Sequence, residues 1–472
     1  MSHVPRWLCG VIPALVLAAC GGAPAASPAA SSAPASASSA ASKPSAPASA
    51  KPAAASGSVS AKPVASAASK PAVASGPIKI GMLLPRTGGL ANLGTDNLDA
   101  FNLYMDAINH TVAGRKVDVT VGDTAGQADV GLNKAKQLVE NDKVSALMGL
   151  TATPVGYAVA GYVKDAHVPL MITENSGAQS LTSDPKFKSP YLTRFTQNAT
   201  IVLDPAADWA YKHGWRKAIL LCSDYGAGLE NAATFASSFI RLGGSIVQEL
   251  YPPVGTTDFG PYLTQLKQGA DFVLAFFPGV DGLRAMQQYG NYGQKQYPLL
   301  DSFGAMTTGS NLPDLQDKAV GVIGEQVWSQ AADSPENKAF LKVWEAKYPG
   351  RYPSTDAAMG YSAAQILESA LNTVKGNVED TQAFLNALYG INVKTAKGPM
   401  KLDADHDIVE NLYVYQMEKQ AGRYDQKLLD TYTGVSKSWI RSPDELAHFP
   451  FGKLKGKLVG MTKDQVEQLA KG

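Results

Sequence analysis

From residue 77 onward, short apolar runs alternate with stretches in which apolar residues recur every three or four positions. Apolar runs predict strands at 78–84, 144–148 and 169–173, and residues 117–121 alternate between apolar and polar positions like a strand. One helix face is predicted by the spacing of Leu98, Phe101, Met105 and Ile108. Strands that alternate with helices predict a parallel sheet covered by helices on both faces.

The pattern then starts again. Further strands are predicted at 217–222, 246–251, 271–277 and 298–301, and helices at 229–242, 259–268 and 281–289. Two such blocks predict an α/β fold with two Rossmann-like lobes, each built on a parallel sheet. From about Ser334 the pattern becomes mostly helical. Ligands of such folds bind at the carboxyl ends of strands and between lobes.

The N-terminus has the pattern of a secretion signal. Arg6 precedes an apolar stretch at 8–19 that is too short for a stable membrane helix. The sequence Leu17-Ala18-Ala19-Cys20 resembles the lipobox of bacterial lipoproteins, in which the cysteine is diacylated and becomes the mature N-terminus. The resemblance implies a signal peptide at 1–19 and a lipid anchor on Cys20. An ordinary cleaved signal with an unrelated cysteine is the alternative.

Residues 20–76 are almost wholly Ala, Ser, Pro, Gly and Lys. A segment with so little to bury is predicted to be a disordered tether. The first 76 residues hold five basic and no acidic residues, so 37 of the 42 basic and all 41 acidic residues lie in 77–472, a net charge of −4. A slightly acidic body argues against nucleic-acid binding, which needs a basic face.

The sequence contains no signature of catalysis. There is no Gly-x-Ser-x-Gly, His-Glu-x-x-His or Walker motif, and the six histidines lack metal-ligand spacing. We therefore predict a binding protein without metal or cofactor rather than an enzyme. Gly226 and Gly228 follow a predicted strand, but Asn231 holds the third glycine position of a dinucleotide loop, so a plain strand-to-helix turn is favoured. Cys222, in an apolar run, is predicted to be buried.

Several segments, in order along the chain, are similar to type I periplasmic binding proteins of the branched-chain amino-acid (Leu/Ile/Val) family. They are 80–88 (IGMLLPRTG), 168–173 (VPLMIT), 224–226 (DYG), 257–259 (TDF) and 398–400 (GPM). The similarity covers about residues 78–417. It implies two lobes joined by three crossover strands, which close on a ligand like a hinge, and it implies no catalysis.

The resemblance also implies a division of the chain and a set of partners. The crossovers are expected near Thr196, Glu325 and Lys401. The expected units are a first lobe of 77–195 with 326–400, a second lobe of 196–325 with 401–435, and a C-terminal extension of 436–472. A protein of this kind captures a small molecule outside the cytoplasm, as a monomer, and delivers it to a membrane ABC permease. A ligand sensor for a membrane signalling partner is the alternative.

Family members hold a ligand carboxylate with Ser or Thr hydroxyls and with backbone N–H groups at a helix N-terminus, where partial positive charge favours an anion. The matching loop here contains Thr151 and Thr153, either of which could supply the hydroxyl. A threonine that merely caps the helix is the alternative. In the loop after the next strand, the family's threonine corresponds to Gly177, so Asn175 or Ser176 is expected to replace its hydrogen bond.

On the second lobe, Tyr225 matches a cleft tyrosine of the family. At most one of Phe276 and Phe277 should face the cleft, and we expect Phe277 to do so. Phe303 falls where amino-acid binders place a carboxylate that pairs the ligand's ammonium. Since a buried ammonium without a partner is costly, Phe303 favours an aromatic acid as ligand. Asp301, two residues away, would restore an acid, and an amino acid, an amide or urea therefore stay open.

Overall fold

The computed structural model describes residues 75–174, 177–292 and 297–472. Within them, the strands of the first sheet are β1 (Ile78–Leu84), β2 (Thr111–Val112), β3 (Arg115–Asp123), β4 (Ala146–Gly149), β5 (Leu170–Ile172) and β6 (Leu192–Arg194). They lie in the order β2-β3-β1-β4-β5-β6, and every pair is parallel except β2–β3. Strands β4 and β5 are buried throughout, as expected for a sheet covered on both faces.

Helices from two parts of the chain pack on this sheet or on the helices that cover it. They are α1 (Ala91–Ala107), α2 (Ala128–Glu140) and α3 (Thr153–Ala166), and from later in the chain α9 (Pro335–Lys347), α10 (Thr355–Thr373) and α11 (Thr381–Tyr389). Helix α2 packs against α3, and α1 packs against α10. Phe101 and Met105 of α1 are buried, in agreement with the predicted helix face.

The second sheet contains β7 (Lys217–Cys222), β8 (Ser245–Leu250), β9 (Phe272–Phe276), β10 (Leu299–Ser302), β11 (Ile323–Gln326), β12 (Asn392–Thr395), β13 (Gly398–Leu402), β14 (Ile408–Gln420) and β15 (Arg423–Val435). Strands β8-β7-β9-β10-β11 are parallel neighbours, and β14 pairs antiparallel with β11. The predicted α/β architecture with two mostly parallel sheets is confirmed. Cys222 is fully buried at the end of β7, and burial raises the pKa of its thiol to about 12.

The helices of the second block are α4 (Ala199–Lys212), α5 (Gly226–Arg241), α6 (Gly260–Leu263), α7 (Val280–Asn291) and α8 (Leu312–Leu315). The helix predicted at 259–268 is a single short turn, α6. The chain after α6 does not continue as a helix, because two of its backbone groups bond to a side chain instead. Gln248 donates to the Gln265 carbonyl and accepts from the Lys267 N–H. Among the described residues, no helix is both long and apolar enough to cross a membrane.

The chain passes between elements of the two sheets at more than one point. Thr196 lies between β6 of the first sheet and α4, which packs against α5. Glu325 lies in β11, after which the chain enters α9 beside α1. Strands β12 and β13 pair through β14 with the second sheet, although the expected boundary at Lys401 put most of them in the first lobe.

The hairpin formed by β14 and β15 is missing from the predicted elements. Each strand is 13 residues long, and residues 410, 412 and 414 of β14 are buried on one side. The connecting residues Ala421 and Gly422 both have positive φ, 47° and 83°, as a two-residue turn between antiparallel strands requires. The alternation was readable in the sequence, but alanine stands where Asn or Asp would have given the usual turn signal.

The C-terminal extension packs on the body through two short helices, α12 (Pro443–His448) and α13 (Lys463–Leu469). Its apolar residues join the largest core cluster: Leu446, Phe449, Phe451, Leu454, Leu458 and Val466. Helix α13 contacts α5, which also carries residues of the cavity described next. The extension therefore packs on an element of the site.

Candidate functional site

A cavity lies where the carboxyl ends of strands from both sheets face each other. Its lining residues are Leu90, Leu93, Thr151, Thr153, Gly177, Tyr225, Ala227, Asn231, Phe276, Pro278 and Phe303. Its empty volume is about 340 Å³, which includes space open to solvent, and only a small part of that volume can hold a water molecule. None of these lining side chains is charged. The cavity is therefore a narrow, largely apolar space with a few polar groups, as is usual for small-molecule sites.

A sharp turn after β4 brings the predicted threonines to this cavity. Gly149 has φ 108°, and a Cβ there would lie 2.5 Å from the carbonyl oxygen of Leu83. Leu150 also has positive φ, 73°, and its N–H donates to the same oxygen at 2.9 Å. This backbone shape, which a leucine rarely adopts, aims Thr151 and Thr153 between the lobes.

The two threonine hydroxyls are buried, and neither makes a hydrogen bond within the described residues. Helix α3 begins at Thr153, and its N-cap residue is Ala152, which has no side chain able to cap. Neither threonine side chain therefore caps α3, contrary to the alternative considered from the sequence. The start of α3 presents backbone N–H donors and partial positive charge beside two unpaired hydroxyls.

Three aromatic rings form the opposite wall. Tyr225 stacks on Phe276 with ring centroids 6.4 Å apart, and Phe276 meets Phe303 edge-on at 5.6 Å. Burial raises the pKa of the Tyr225 hydroxyl well above its usual value, so the group stays protonated. Tyr225 and Phe303 thus lie at the cavity as the sequence predicted.

The expectation for Phe277 is wrong in its placement. Strand β9 alternates its side chains, and it is Phe276 that lines the cavity. Phe277 points to the other face, where it packs edge-on against Phe259 at 5.0 Å in the second lobe's core. Alternation along β9 places the rings of Phe276 and Phe277 on opposite faces of the sheet, but it does not indicate which ring faces the cavity.

The loop after β10 decides between Asp301 and Phe303. The Asp301 carboxylate is fully buried and accepts hydrogen bonds from the Met306 N–H at 3.0 Å and from the Thr307 N–H at 2.9 Å and hydroxyl at 2.7 Å. Burial raises its pKa to about 6. Asp301 closes its own loop, and Phe303, with a strained φ of 62°, is the residue presented to the cavity.

Asn231 is a cavity residue that the sequence did not indicate as a ligand contact. It lies on α5, is 1% exposed, and neither its amide oxygen nor its amide nitrogen has a hydrogen-bond partner within the described residues. In the sequence, Asn231 stood out only because it replaces the third glycine of a dinucleotide-binding loop. Leu90 and Leu93, at the start of α1, add apolar surface that sequence reasoning also missed.

Beside the cavity, Glu230 joins the two lobes. Its carboxylate accepts from the Tyr157 hydroxyl of α3 at 2.7 Å and from the Gln179 N–H at 3.0 Å. Burial raises the pKa of Glu230 to about 7, although these hydrogen bonds and Arg194 act in the opposite direction. Because α5 carries Glu230 and α3 carries Tyr157, this contact links the two helices beside the cavity.

Three predicted residues, Cys20, Asn175 and Ser176, lie outside the described residues, as do the signal peptide and nearly all of the tether. Gly177, the position where the resemblance implied a departure from the family, does line the cavity. A Cβ at Gly177 would lie 3.3 Å from the Thr153 hydroxyl, so the missing side chain leaves that hydroxyl accessible.

Comparisons with known proteins agree with this architecture. A family model described as periplasmic binding protein matches residues 77–423. The Leu/Ile/Val-binding protein homolog 6 of Brucella melitensis is 29% identical over 365 residues, which cover 75% of this chain and 91% of that protein. An ABC transporter substrate-binding protein from Sphaerobacter thermophilus is 33% identical, with a TM-score of 0.72 over 76% of this chain and 99% of the other.

A further solved structure is a solute binding protein of an ABC transporter from Rhodopseudomonas palustris, in complex with 3,4-dihydroxy benzoic acid. It is 30% identical, with a TM-score of 0.72, and the match covers 76% of this chain and 98% of that one. The family consists of extracytoplasmic proteins that bind solutes rather than transform them. With a match over most of its length and the two-lobed fold in place, the chain belongs to the periplasmic binding protein family and is a substrate-binding protein of an ABC transporter.

Proposed function

We propose that this protein captures a small aromatic carboxylate between its lobes, without chemical change, and delivers it to its ABC importer. The observation that carries the proposal is the composition of the cavity. Three aromatic rings face two threonine hydroxyls that are unpaired within the described residues, at a helix start, and none of the described lining side chains is charged. The aromatic ligand of the Rhodopseudomonas palustris protein supports the same class.

The carboxylate end of the ligand fits the first lobe. Thr151 and Thr153 each offer a hydroxyl that donates to nothing within the described residues, and the N-terminus of α3 adds partial positive charge. Hydrogen bonds to a charged acceptor stabilise by about 1.5–3 kcal/mol each, more than neutral ones. A carboxylate therefore satisfies donors that are otherwise buried without partners.

The aromatic ring of the ligand fits the second lobe. Tyr225, Phe276 and Phe303 offer ring faces and edges at separations suited to stacked and edge-on contacts. The cavity is narrow, so the ring would enter while the lobes are apart and be enclosed when they close.

A zwitterionic amino acid fits less well. Its ammonium would need an anionic or strongly polar partner, and burying it unpaired costs several kcal/mol. Among the described lining residues there is no carboxylate, and Asp301 is occupied by its own loop. An amide or urea would leave the aromatic wall without a matching surface.

Titration calorimetry of the purified protein tests the proposal. Benzoate and 4-hydroxybenzoate should bind, while leucine, benzamide and urea should bind at least about tenfold more weakly. A matched pair of variants locates the site, since Tyr225→Ala should weaken aromatic acids and Tyr424→Ala, in the distant hairpin, should not. Tight binding of leucine with no binding of benzoate would overturn the proposed ligand class.

We also propose that Cys20 carries the lipid anchor and that 20–76 spaces the body from the membrane. Support comes from the sequence Leu17-Ala18-Ala19-Cys20 and from the composition of the segment behind it. Metabolic labelling with a fatty-acid analogue should mark the protein, and Cys20→Ser should abolish the label and release the protein from membranes. Labelling that persists in Cys20→Ser would contradict the anchor.

A further inference from the structure

Asn231 differs from the other buried asparagines of the described chain. Asn97, Asn198, Asn311 and Asn337 each make at least one side-chain hydrogen bond. Asn231 is 1% exposed and makes none within the described residues, although it carries two donors and an acceptor. Leaving a buried polar group unpaired destabilises the protein. An unpaired amide at a cavity wall therefore indicates a group of the ligand that pairs with it.

We propose that Asn231 recognises a hydroxyl group on the aromatic ring of the ligand, so that the protein prefers hydroxylated benzoates to benzoate. The inference rests on the proposed function, because it assumes an aromatic carboxylate in the cavity. It assigns to Asn231 the selection among members of that class.

The chemistry of the two polar ends of the cavity assigns the groups. A carboxylate only accepts hydrogen bonds, and the hydroxyls of Thr151 and Thr153 can both donate to it. The amide oxygen of Asn231 needs a donor, which a carboxylate does not provide. A phenolic hydroxyl donates to that oxygen, and its own oxygen can accept from the amide nitrogen of Asn231 or from a neighbouring group.

The spacing of the two ends also fits. The first residue of α5, Gly226, lies beside Thr153, since a Cβ on Gly226 would be 3.3 Å from Thr153 Cγ2. Asn231 follows five residues later, about 7.5 Å along the helix axis. That separation is comparable to the distance between the carboxylate of a benzoate and a substituent on the far side of its ring.

The neighbouring charged and polar groups do not take over this role. Glu230, the adjacent residue on α5, is already paired with Tyr157 and Gln179. Asp301 is paired within its own loop. Among the described lining residues, the side chains with hydroxyl groups are Thr151, Thr153 and Tyr225. Asn231 carries the one side-chain amide of this lining, and it is available to a substituent on the ring of the ligand.

The test compares dissociation constants for benzoate, 3-hydroxybenzoate and 4-hydroxybenzoate, measured by calorimetry on the purified protein. The wild type should bind at least one hydroxybenzoate about 10- to 100-fold more tightly than benzoate. Asn231→Leu, which is close in shape but apolar, should bring the two constants within about threefold by weakening the hydroxylated ligand and tightening benzoate. Asn411→Leu, a half-buried asparagine in β14, is the control and should keep the wild-type ratio.

Equal affinity of the wild type for benzoate and both hydroxybenzoates overturns the role of Asn231 and leaves the proposed function intact. This comparison uses the wild type alone, so it does not depend on whether a variant folds. A preference that survives in Asn231→Leu overturns it as well. A wild type that binds no aromatic acid at all contradicts the proposed function instead.

Discussion

The two ends of α5 differ in how their buried polar groups are used. Toward the C-terminal end, Arg441 of the C-terminal extension is 3% exposed and donates to Asp204 at 2.6 and 2.8 Å, to Glu445 at 2.6 Å, and to the hydroxyls of Ser237 and Ser238. Nearer the N-terminal end, at the cavity, Asn231 makes no hydrogen bond within the described residues. One helix thus carries a saturated polar cluster toward one end and an unsatisfied amide toward the other.

The difference separates structural polar groups from those kept for a ligand. Around Arg441 the protein provides all of the partners, so the cluster fixes α5 against α4 and the extension. At the cavity, the side chains of Asn231, Thr151 and Thr153 have no partner within the described residues, a cost that a ligand would offset by supplying the partners. The saturated cluster also holds α5 in place, which keeps the cavity groups at a fixed spacing.

The largest expected effect comes from breaking the saturated cluster. Arg441→Leu leaves Asp204 buried without its counter-ion and should lower the free energy of unfolding by about 4 kcal/mol. Denaturant unfolding measures the loss. Lys455→Ala, which removes a half-exposed ion pair between the extension and Asp224, is the control and should cost about 0–1 kcal/mol. Similar losses for both variants would contradict the assigned role of Arg441.

The adjacent residues Phe276 and Phe277 give a second comparison, between a ring that lines the cavity and a ring that packs only in the core. Replacing either with alanine should lower the free energy of unfolding by about 3 kcal/mol, because each ring is buried. Only Phe276→Ala should also change the preference for aromatic acids over leucine in calorimetric titrations. If Phe277→Ala alters that preference as strongly, the orientation of the pair at the end of β9 is wrong.

The lobe contact through Glu230 should make stability depend on pH. The pKa of Glu230 is raised from 4.5 to about 7 in the folded protein, so folding takes up a proton between these values. Stability from this group is therefore present below about pH 4.5 and is lost as pH rises through about 7, by up to about 3 kcal/mol.

Glu230→Gln should remove this contribution. Denaturant unfolding from pH 5 to 8 measures the free energy of unfolding of both proteins. As pH rises over this range, the wild type should lose stability relative to the variant. Tyr157→Phe, which removes one of the two hydrogen bonds to the carboxylate, should keep a pH dependence of the same sign. A difference that is constant over this range would show that Glu230 is ionised in the folded protein throughout.

The smallest effect on stability is expected at the unpaired threonines, although the effect on binding is large. Thr153→Val keeps the branched shape and removes a hydroxyl that bonds to nothing in the described structure, so the free energy of unfolding should stay the same or rise by up to about 1 kcal/mol. Affinity for benzoate should fall about 10- to 100-fold. A loss of stability without a loss of affinity would assign Thr153 to the fold rather than to the ligand.

Much of the fold follows from local sequence patterns. The apolar runs of β1, β4, β7 and β9 and the spacing in α1 are read directly from the chain, because parallel strands covered on both faces are continuous apolar segments. The hairpin of β14 and β15 was missed because its turn uses Ala421, and the predicted helix at 259–268 was shortened by contacts from Gln248. Both depend on groups that local periodicity does not report.

The site was predicted only in part for the same reason. Thr151, Thr153, Tyr225 and Phe303 lie at the ends of strands or helices, where topology alone brings residues together. The choice between Phe276 and Phe277 depends on the register of β9 within the second sheet. Asn231 is recognised only from what it fails to contact, and that requires the positions of its neighbours.

The unpaired groups of the cavity should match the two ends of one ligand. A crystal structure of the complex with 4-hydroxybenzoate would show this. We expect a carboxylate within hydrogen-bond distance of the Thr151 and Thr153 hydroxyls, the ring against Phe276 and Phe303, and the ring hydroxyl at Asn231. A carboxylate held at Asn231, or a ligand bound outside this cavity, would contradict this expectation.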